Sequence, residues 1–291
     1  MLLLLATTFY YRKMAKLIYK KCKNILRKTP FFIPAKKLYY FIRGVALKFY
    51  NAIFPTAIIL LYHRIAEPEN DIYQLSVSSE NFENQLIYLS NKFKIISLNE
   101  LANSLKSRKL GKGRLVITFD DGYADNLHNA LPILEKYGIP ATIFITTSNI
   151  DNGAPFFWEE GSPEKDRGRC VNREELKKLS SSKFIEIGAH TINHPKLSKI
   201  NISEQAEEIA GSRQTLNKLL GMPINSFAYP FGGKGTFDKN TVNLVKKNGF
   251  QYACSNIHRR VGRNTPLHTL PRFVVRNWSV KELKQQMEKW L

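Results

Sequence analysis

The chain has 291 residues, 43% of them hydrophobic, and a formal net charge of +20 at pH 7. This length allows one large domain or two small ones, with a sizeable core. The three cysteines, Cys22, Cys170 and Cys254, are an odd number without paired spacing, which argues against a disulfide framework and is compatible with a reducing compartment. The sequence has no internal repeat and no low-complexity tract.

The positive charge is concentrated near the N-terminus. Residues 1–66 contain twelve basic residues besides Arg64 and no acidic residue. The apolar run 1–11 is too short to span a bilayer as a helix, and it lacks the charged n-region and the cleavage site of a secretory signal. We predict that residues 1–55 form a basic, partly amphipathic helical extension, in which residues 12–50 lie on an anionic membrane surface.

This extension has two alternative interpretations. Nucleic acids are also bound by interleaved basic and aromatic residues, but no nucleic-acid-binding motif accompanies them, so no nucleic-acid partner is expected. Plain solvated helices are the other alternative.

Residues 56–291 are predicted to form the main domain. It begins with the apolar strand 57–62, which ends in His63. Strand and helix patterns then alternate to the C-terminus, as is typical of an α/β barrel. Strands are predicted over 93–97, 115–119, 141–146, 184–189, 227–230, 250–255 and 270–275, and helices from 78, over 98–105, from 125 to 138, and over 172–181, 201–221 and 280–290.

The strand 115–119 ends in two adjacent carboxylates, Asp120 and Asp121, followed by Gly122. Neighbouring side chains of a strand point to opposite faces, so both acids reach one site only if the strand ends there, and the glycine supplies the backbone freedom. A solvated turn is the alternative, because Asp-Asp-Gly is also a good turn sequence.

The strand 184–189 ends in His190, and His194 follows four residues later. One helical turn would place both imidazoles on the same side, within reach of one ion, and Asp121 is the natural third ligand. A chance pair of surface histidines is the alternative, which the Asp-Asp at the end of another strand disfavours. Two histidines and one carboxylate suit Zn²⁺, Co²⁺, Ni²⁺ or Fe²⁺.

Three motifs resemble, in order and rough spacing, the signatures of the polysaccharide deacetylases, carbohydrate esterase family 4. They are Thr-Phe-Asp-Asp-Gly at 118–122, His-Thr-Ile-Asn-His-Pro at 190–195 and Phe-Ala-Tyr-Pro-Phe-Gly at 227–232. The resemblance covers residues 58–278. It implies a deformed (β/α) barrel and a divalent metal, with zinc favoured, that hydrolyses N-acetyl groups from amino sugars.

The resemblance also implies roles for single residues. Asp120, beside the metal but not bound to it, is the general base, and the backbone N–H of Phe231 helps to hold the oxyanion. His63 is the acid that protonates the departing amine. A histidine at this early position resembles a branch of the family with circularly permuted motif order, similar to poly-N-acetylglucosamine deacetylases. The alternative for His63 is a strand-end histidine held by backbone.

One position departs from the family pattern. The usual third motif begins with an arginine that pairs with the catalytic base, and Ala228 stands there in this chain. Arg272 is the candidate to orient Asp120 instead, because the permuted branch often carries a Leu-Pro-Arg at this place. An ordinary surface ion pair is the alternative for Arg272.

Three aromatic residues, Tyr123, Trp158 and Tyr229, are assigned to substrate binding. Trp158 lies in the polar loop 152–170, and loops after barrel strands are expected to contact substrates. Its indole ring is suited to stacking on a sugar face, and core packing is an equal alternative. The expected partner is an N-acetylated glycan.

The predicted function is a metal-dependent hydrolase that removes N-acetyl groups from an amino sugar in a polysaccharide or a lipid-linked glycan. The alternatives are an O-deacetylase of another acylated glycan and a non-catalytic glycan or membrane adaptor. The positive flank after residues 1–11 favours the cytoplasmic face of the inner membrane, or the cytoplasm. An uncleaved anchor in this run would instead place the protein outside.

Overall fold

The computed structural model describes residues 55–151 and 153–290. These residues belong to one compact unit, 54–291. The predicted extension 1–55 lies outside the described residues except for Pro55, so its helical structure and its membrane contact stay predictions. No helix in the described part of the chain is long and apolar enough to cross a membrane.

Short strands and connecting helices alternate through the described residues. The strands are β1 Thr56–Tyr62, β2 Arg64–Ile65, β3 Ser76–Val77, β4 Lys94–Ile95, β5 Arg114–Phe119, β6 Ala141–Ile145, β7 Ile185–Ala189, β8 Ser226–Ala228, β9 Tyr252–Cys254, β10 Val261–Gly262 and β11 Phe273–Val274. The α-helices are α1 Ser79–Lys92, α2 Leu98–Lys106, α3 Leu131–Tyr137, α4 Arg173–Ser181, α5 Ile202–Leu220, α6 Lys239–Lys247 and α7 Val280–Trp290.

The main sheet curls into a deformed (β/α) barrel, which confirms the predicted fold class. Its order is β10-β1-β5-β6-β7-β8-β9, with β11 beside β1 and β4 beside β5. The strands from β1 through β9 along this order pair in parallel, and β10 alone runs antiparallel to β1. The N–H of Leu270 donates to Ala253 O at 2.8 Å, and the N–H of Val275 donates to Leu61 O at 2.9 Å. The segment 270–275 therefore links β9 back to β1.

Alternate residues of the strands fill two apolar layers. In β1, Ile58, Leu60 and Tyr62 belong to the larger layer, which the outer helices cover. Ala57 and Ile59 face the smaller layer, where α2 packs with its buried leucines. This alternation follows from the two-residue period of a strand. Since α2 packs against the start of the strands, the opposite end of the barrel is the one that can hold polar side chains.

The helix predicted from 125 to 138 is not continuous. A single π-helical turn, Asn126–Ala130, precedes α3. Pro132 has no N–H to donate back to the carbonyl of His128, and the N–H of Leu131 reaches Asn126, five residues back. The predicted stop at Gly138 is confirmed, since this glycine has φ +64°.

Candidate metal centre and catalytic site

The predicted site residues follow strands whose carboxyl ends meet at one end of the barrel. His63 follows β1, Asp120 and Asp121 follow β5, and His190 follows β7. Since these strands are parallel, their last residues lie at the same edge of the sheet, where barrel enzymes carry their functional groups. We call this edge the catalytic end.

The two adjacent carboxylates reach the same site because the backbone turns sharply between them. Asp121 has φ +72° and Gly122 has φ +82°, whereas the N–H of Asp120 still continues the sheet and donates to Tyr62 O at 3.0 Å. A left-handed aspartate is strained, and such strain is stored at functional sites. A side chain at φ +82° would be strained, and a Cβ on Gly122 would lie 2.8 Å from Ile145 Cδ1, so any other residue would also require the Ile145 side chain to move.

Asp121, His190 and His194 form a buried group suited to a divalent ion. Their potential ligand atoms lie within 4.8 Å of one another, and each histidine Nε2 is 3.5 Å from Asp121 Oδ1. His190 Nδ1 lies 2.8 Å from the carbonyl oxygen of Ala228, which fixes the ring with Nε2 toward the group. Among the described residues, Asp121 Oδ1 and His194 Nδ1 are buried without a hydrogen-bond partner. A bound cation would satisfy the Asp121 oxygen.

The pKa values of these groups fit the same interpretation. Burial, together with the neighbouring charge of Asp120, raises the pKa of Asp121 well above its ordinary value. Burial lowers the pKa of His190, and burial with the charge of His190 lowers the pKa of His194 further. Neutral imidazoles are the form that binds metal. Without a cation, the ionised form of Asp121 is strongly disfavoured. A bound metal ion would stabilise this ionised form.

The histidine pair is not held by a helical turn, so that part of the prediction was wrong. Residues 190–194 form an irregular turn in which Thr191 has φ +68° and His194 has φ +56°. The ring centroids of His190 and His194 are nevertheless 4.8 Å apart. The Thr191 hydroxyl accepts from the His194 N–H at 3.0 Å, so a side chain inside the turn takes the place of helical hydrogen bonds.

Glu208, from α5, holds this turn from outside. Its buried carboxylate accepts from the backbone N–H groups of Ile192 at 2.8 Å and Asn193 at 2.9 Å, and from the Asn193 side chain at 2.7 Å. Two successive N–H groups point at one carboxylate only when the backbone is fixed in this shape. Glu208 therefore orients the segment between the two histidines.

Asp120 forms a bidentate ion pair with Arg272. The guanidinium nitrogens lie 2.7 Å and 2.6 Å from the two carboxylate oxygens, and the Arg272 side chain is fully buried. Asn256 Oδ1 accepts a further hydrogen bond from Arg272 at 2.7 Å. Burial alone would raise the pKa of Asp120, but the charges of Arg272 and His190 outweigh it and lower the pKa to about 2. Arg272 occupies the place predicted for it, opposite Asp120, and its catalytic role stays a prediction.

His63 lies near the ion pair. Its backbone carbonyl accepts a hydrogen bond from Asn126 Nδ2 at 2.8 Å. The charges of Asp120, Arg272 and His190 influence the pKa of its imidazole. Burial lowers the pKa of His63 to about 4, although Asp120 opposes this shift. The imidazole is therefore neutral at pH 7 before substrate binds.

Two aromatic residues line the site, and two assigned to substrate binding do not. The rings of Trp158 and Phe231 each lie 4.8 Å from the His194 ring, and 43% of Phe231 is exposed. Tyr123 is fully buried, and its hydroxyl donates to Glu159 at 2.9 Å. Tyr229 is also fully buried, and its hydroxyl donates to His268 O at 2.9 Å. The assignment of Tyr123 and Tyr229 to substrate contact was wrong, because both rings pack inside the domain.

Three groups at the site were not predicted. They are the Glu208 carboxylate, the Asn256 side chain and the carbonyl of Ala228. Each one acts through contacts between segments distant in sequence, so spacing gives no signal for them. The Ala228 side chain cannot supply the charge of the usual arginine, and the residue contributes its backbone carbonyl, which lies 2.8 Å from His190 Nδ1.

Comparison with known proteins identifies the family. Residues 107–253, half of the chain, match the family model described as polysaccharide deacetylase. The chain belongs to this family. A poly-β-1,6-N-acetyl-D-glucosamine N-deacetylase of Staphylococcus epidermidis is 26% identical over 80% of this chain and 83% of its own length. The enzyme of the same name from Staphylococcus aureus strain MRSA252 is 28% identical over 76% and 79%.

Two solved structures share the fold. The Streptococcus pyogenes deacetylase PplD, solved with acetate, superposes with a TM-score of 0.66 and 25% identity, over 80% of this chain and 99% of PplD. IcaB from Ammonifex degensii superposes with a TM-score of 0.64 and 23% identity, over 81% and 97%. The polysaccharide deacetylase fold thus accounts for the described domain, whereas the predicted circular permutation stays a prediction.

The two neighbouring aspartates should affect stability in opposite directions. In metal-free protein at pH 7.5, Asp121→Asn should stabilise the fold by about 1 kcal/mol, because it removes a buried carboxyl group that must either be protonated on folding or stay as an unpaired charge. Because the pKa of Asp121 is raised, burying this carboxyl group costs no stability at pH values below its ordinary pKa. The cost grows as the pH rises and is complete above the raised pKa. Asp120→Asn should destabilise by about 3 kcal/mol, because it leaves Arg272 unpaired.

Chemical denaturation of both chelator-treated variants tests this prediction. The ion pair contributes above the ordinary pKa of aspartate and is lost as pH falls toward about 2, so the contrast should be full at pH 7.5. Equal destabilisation by the two substitutions would contradict the proposed division of charge between them.

Glu208→Gln should weaken zinc binding about tenfold, because groups that orient metal ligands typically contribute this much. The matched control is Glu207→Gln, which removes the same charge from the exposed neighbouring residue of α5. Competition with a chromophoric chelator measures the zinc affinity, and circular dichroism verifies that both variants are folded. Equal affinities of the two variants would show that the turn keeps its shape without Glu208.

Proposed function

We propose that this protein is a metal-dependent N-deacetylase of a polymeric or lipid-linked amino sugar. The observation that carries the proposal is the division of labour between two adjacent carboxylates. Asp120 is kept ionised by Arg272, and Asp121 faces the two histidines. The substrate class rests on the relatives whose names specify poly-β-1,6-N-acetyl-D-glucosamine as their substrate.

Asp121, His190 and His194 are the residues that would hold the ion, and zinc is the proposed metal, with Co²⁺, Ni²⁺ and Fe²⁺ suited to the same donors. When bound, such an ion polarises a carbonyl group and lowers the pKa of a water toward about 7. Asp120 would act as the base that accepts a proton from the attacking water. Its bidentate contact with Arg272 prevents the carboxylate from rotating and binding the ion itself.

His63 and Phe231 complete the proposed mechanism. The Phe231 N–H stabilises the negative charge that develops on the acetyl oxygen. His63 is neutral beforehand, with its pKa lowered to about 4. Negative charge that develops beside an imidazole raises its affinity for a proton, so His63 takes up a proton equivalent to the one given up by the attacking water and passes it to the departing amine, with no net gain or loss of protons. Trp158, whose ring stacks on Phe156 and lies 4.8 Å from the His194 ring, is the proposed aromatic contact for a sugar.

Asp120→Asn should abolish metal-dependent acetate release from N-acetylglucosamine oligomers, because an amide cannot accept the proton. His63→Gln should reduce the rate at least a hundredfold, within the usual contribution of a general acid. An enzymatic acetate assay with and without Zn²⁺ measures both. Release from an O-acetylated glycan alone would favour the O-deacetylase, and metal binding without any release would favour the adaptor.

We propose further that residues 12–50 hold the enzyme on an anionic membrane surface. The twelve basic residues there, with no acidic residue before Glu67, support this proposal. The cytoplasmic face is our proposed location on the basis of the positive flank after residues 1–11, with an outward-facing anchored form as the alternative.

The full chain should sediment with vesicles containing 30% phosphatidylglycerol and not with pure phosphatidylcholine. Binding should weaken steeply when the salt concentration rises from 0.05 to 0.5 M, because charge attraction is screened. Equal binding to both lipids at all salt concentrations would indicate insertion of apolar residues instead.

A further inference from the structure

A cluster of basic residues covers the end of the barrel opposite the catalytic end. Arg114 begins β5 and is paired with Ala57 on one side and Lys94 on the other, at the start of the strands. Lys106, the last residue of α2, donates to Gln251 just before β9. Arg263 follows β10, whose Gly262 is opposite Thr56. We define the basic end by Lys92, Lys94, Lys106, Arg108, Lys109, Lys112, Arg114, Lys246, Lys247 and Arg263.

This end has almost no compensating negative charge in sequence. Residues 92–114 hold seven basic residues and one acidic residue, Glu100, and residues 239–263 hold six basic residues and no acidic one. By contrast, the loops at the catalytic end carry charges of both signs. The carboxylates of Glu67, Glu69, Asp71, Glu159, Glu160, Glu164 and Asp166 lie there beside the basic side chains of Arg64, Lys165, Arg167 and Arg169, and Lys165 pairs with Glu69.

Helix dipoles explain only part of this polarity. Lysines in the last turn of a helix stabilise its C-terminus, which accounts for Lys92, Lys106, Lys246 and Lys247. Arg114 is the first residue of β5, Lys112 shortly precedes this strand, and Arg263 follows β10. None of these three residues belongs to the last turn of a helix, so their common feature is the end of the barrel at which they lie.

The chain enters the barrel at this same end. Pro55, the first described residue, precedes Thr56 at the start of β1. A strand of seven residues at about 3.3 Å per residue separates this point from His63 by roughly 20 Å. That separation exceeds the Debye length of about 8 Å at physiological salt. A charged surface at one end of the barrel is therefore largely screened from the charges at the other end.

We propose that the basic end lies against an anionic lipid surface, with the catalytic end facing the aqueous phase. This proposal rests on the proposed membrane association. Charge complementarity supplies the orientation, because an anionic surface attracts an end with charges of one sign more strongly than an end where both signs are mixed. In this orientation the active site receives a glycan chain from the aqueous phase, and a sugar still attached to a lipid of the same surface is out of reach.

Amine acetylation of the full chain, mapped by mass spectrometry, tests the orientation. On vesicles with 30% phosphatidylglycerol, Lys106 and Lys109 should react at least fivefold more slowly than in solution. Lys281 and Lys284 are exposed controls in the first turns of α7, close after Arg276, which contacts Tyr73 at the catalytic end. Their rates should not change. Equal rates for all four lysines on vesicle-bound protein would overturn the orientation while leaving membrane association intact.

A matched pair of variants gives an independent test. Arg108→Gln with Lys109→Gln should lower the vesicle partition coefficient about twentyfold, since each basic residue near such a surface contributes about fivefold. Lys281→Gln with Lys284→Gln removes the same charge and should change it less than twofold. Equal losses would overturn the proposal, as would a chain that does not bind anionic vesicles at all. Acetate release from a soluble oligomer is independent of both outcomes.

Discussion

The buried ion pair between Asp120 and Arg272 is the interaction on which the rest of the site depends. Two carboxylates that follow one another in sequence repel each other when both are buried, and burial alone would keep both protonated. The guanidinium lies against one of them at 2.6 to 2.7 Å and leaves the other facing two histidines. The arginine thereby pairs with one carboxylate and leaves the other as the one that a cation would pair with.

The position of Arg272 in the sequence explains why the site survives the loss of the usual arginine at Ala228. Arg272 comes from the segment that links β9 back to β1, so its side chain reaches into the barrel from the far edge of the sheet. Ala228, on β8, uses its carbonyl group to fix His190. The residue that pairs with the charge of Asp120 and the residue that fixes the tautomer of His190 therefore lie in different segments of the chain. Either one can be substituted while the other is kept.

The sequence predicted the elements that periodicity controls and missed those that long-range contacts control. The apolar runs before His63, Asp120 and His190 are strands because β-branched residues buried on both faces favour them, and their ends locate the site. The turn after His190 could not be predicted, because its left-handed residues depend on a carboxylate from α5. The same reasoning failed for Tyr123 and Tyr229, since adjacency to a motif does not determine which face a side chain takes.

The chemistry and the charge distribution of this fold have one origin. Helices that return from the carboxyl ends of parallel strands begin at the catalytic end and finish at the other, so acidic first turns and basic last turns are sorted by the topology. The opposite end accumulates lysines for the same reason, and Arg114 at the start of β5 and Arg263 after β10 add to their charge.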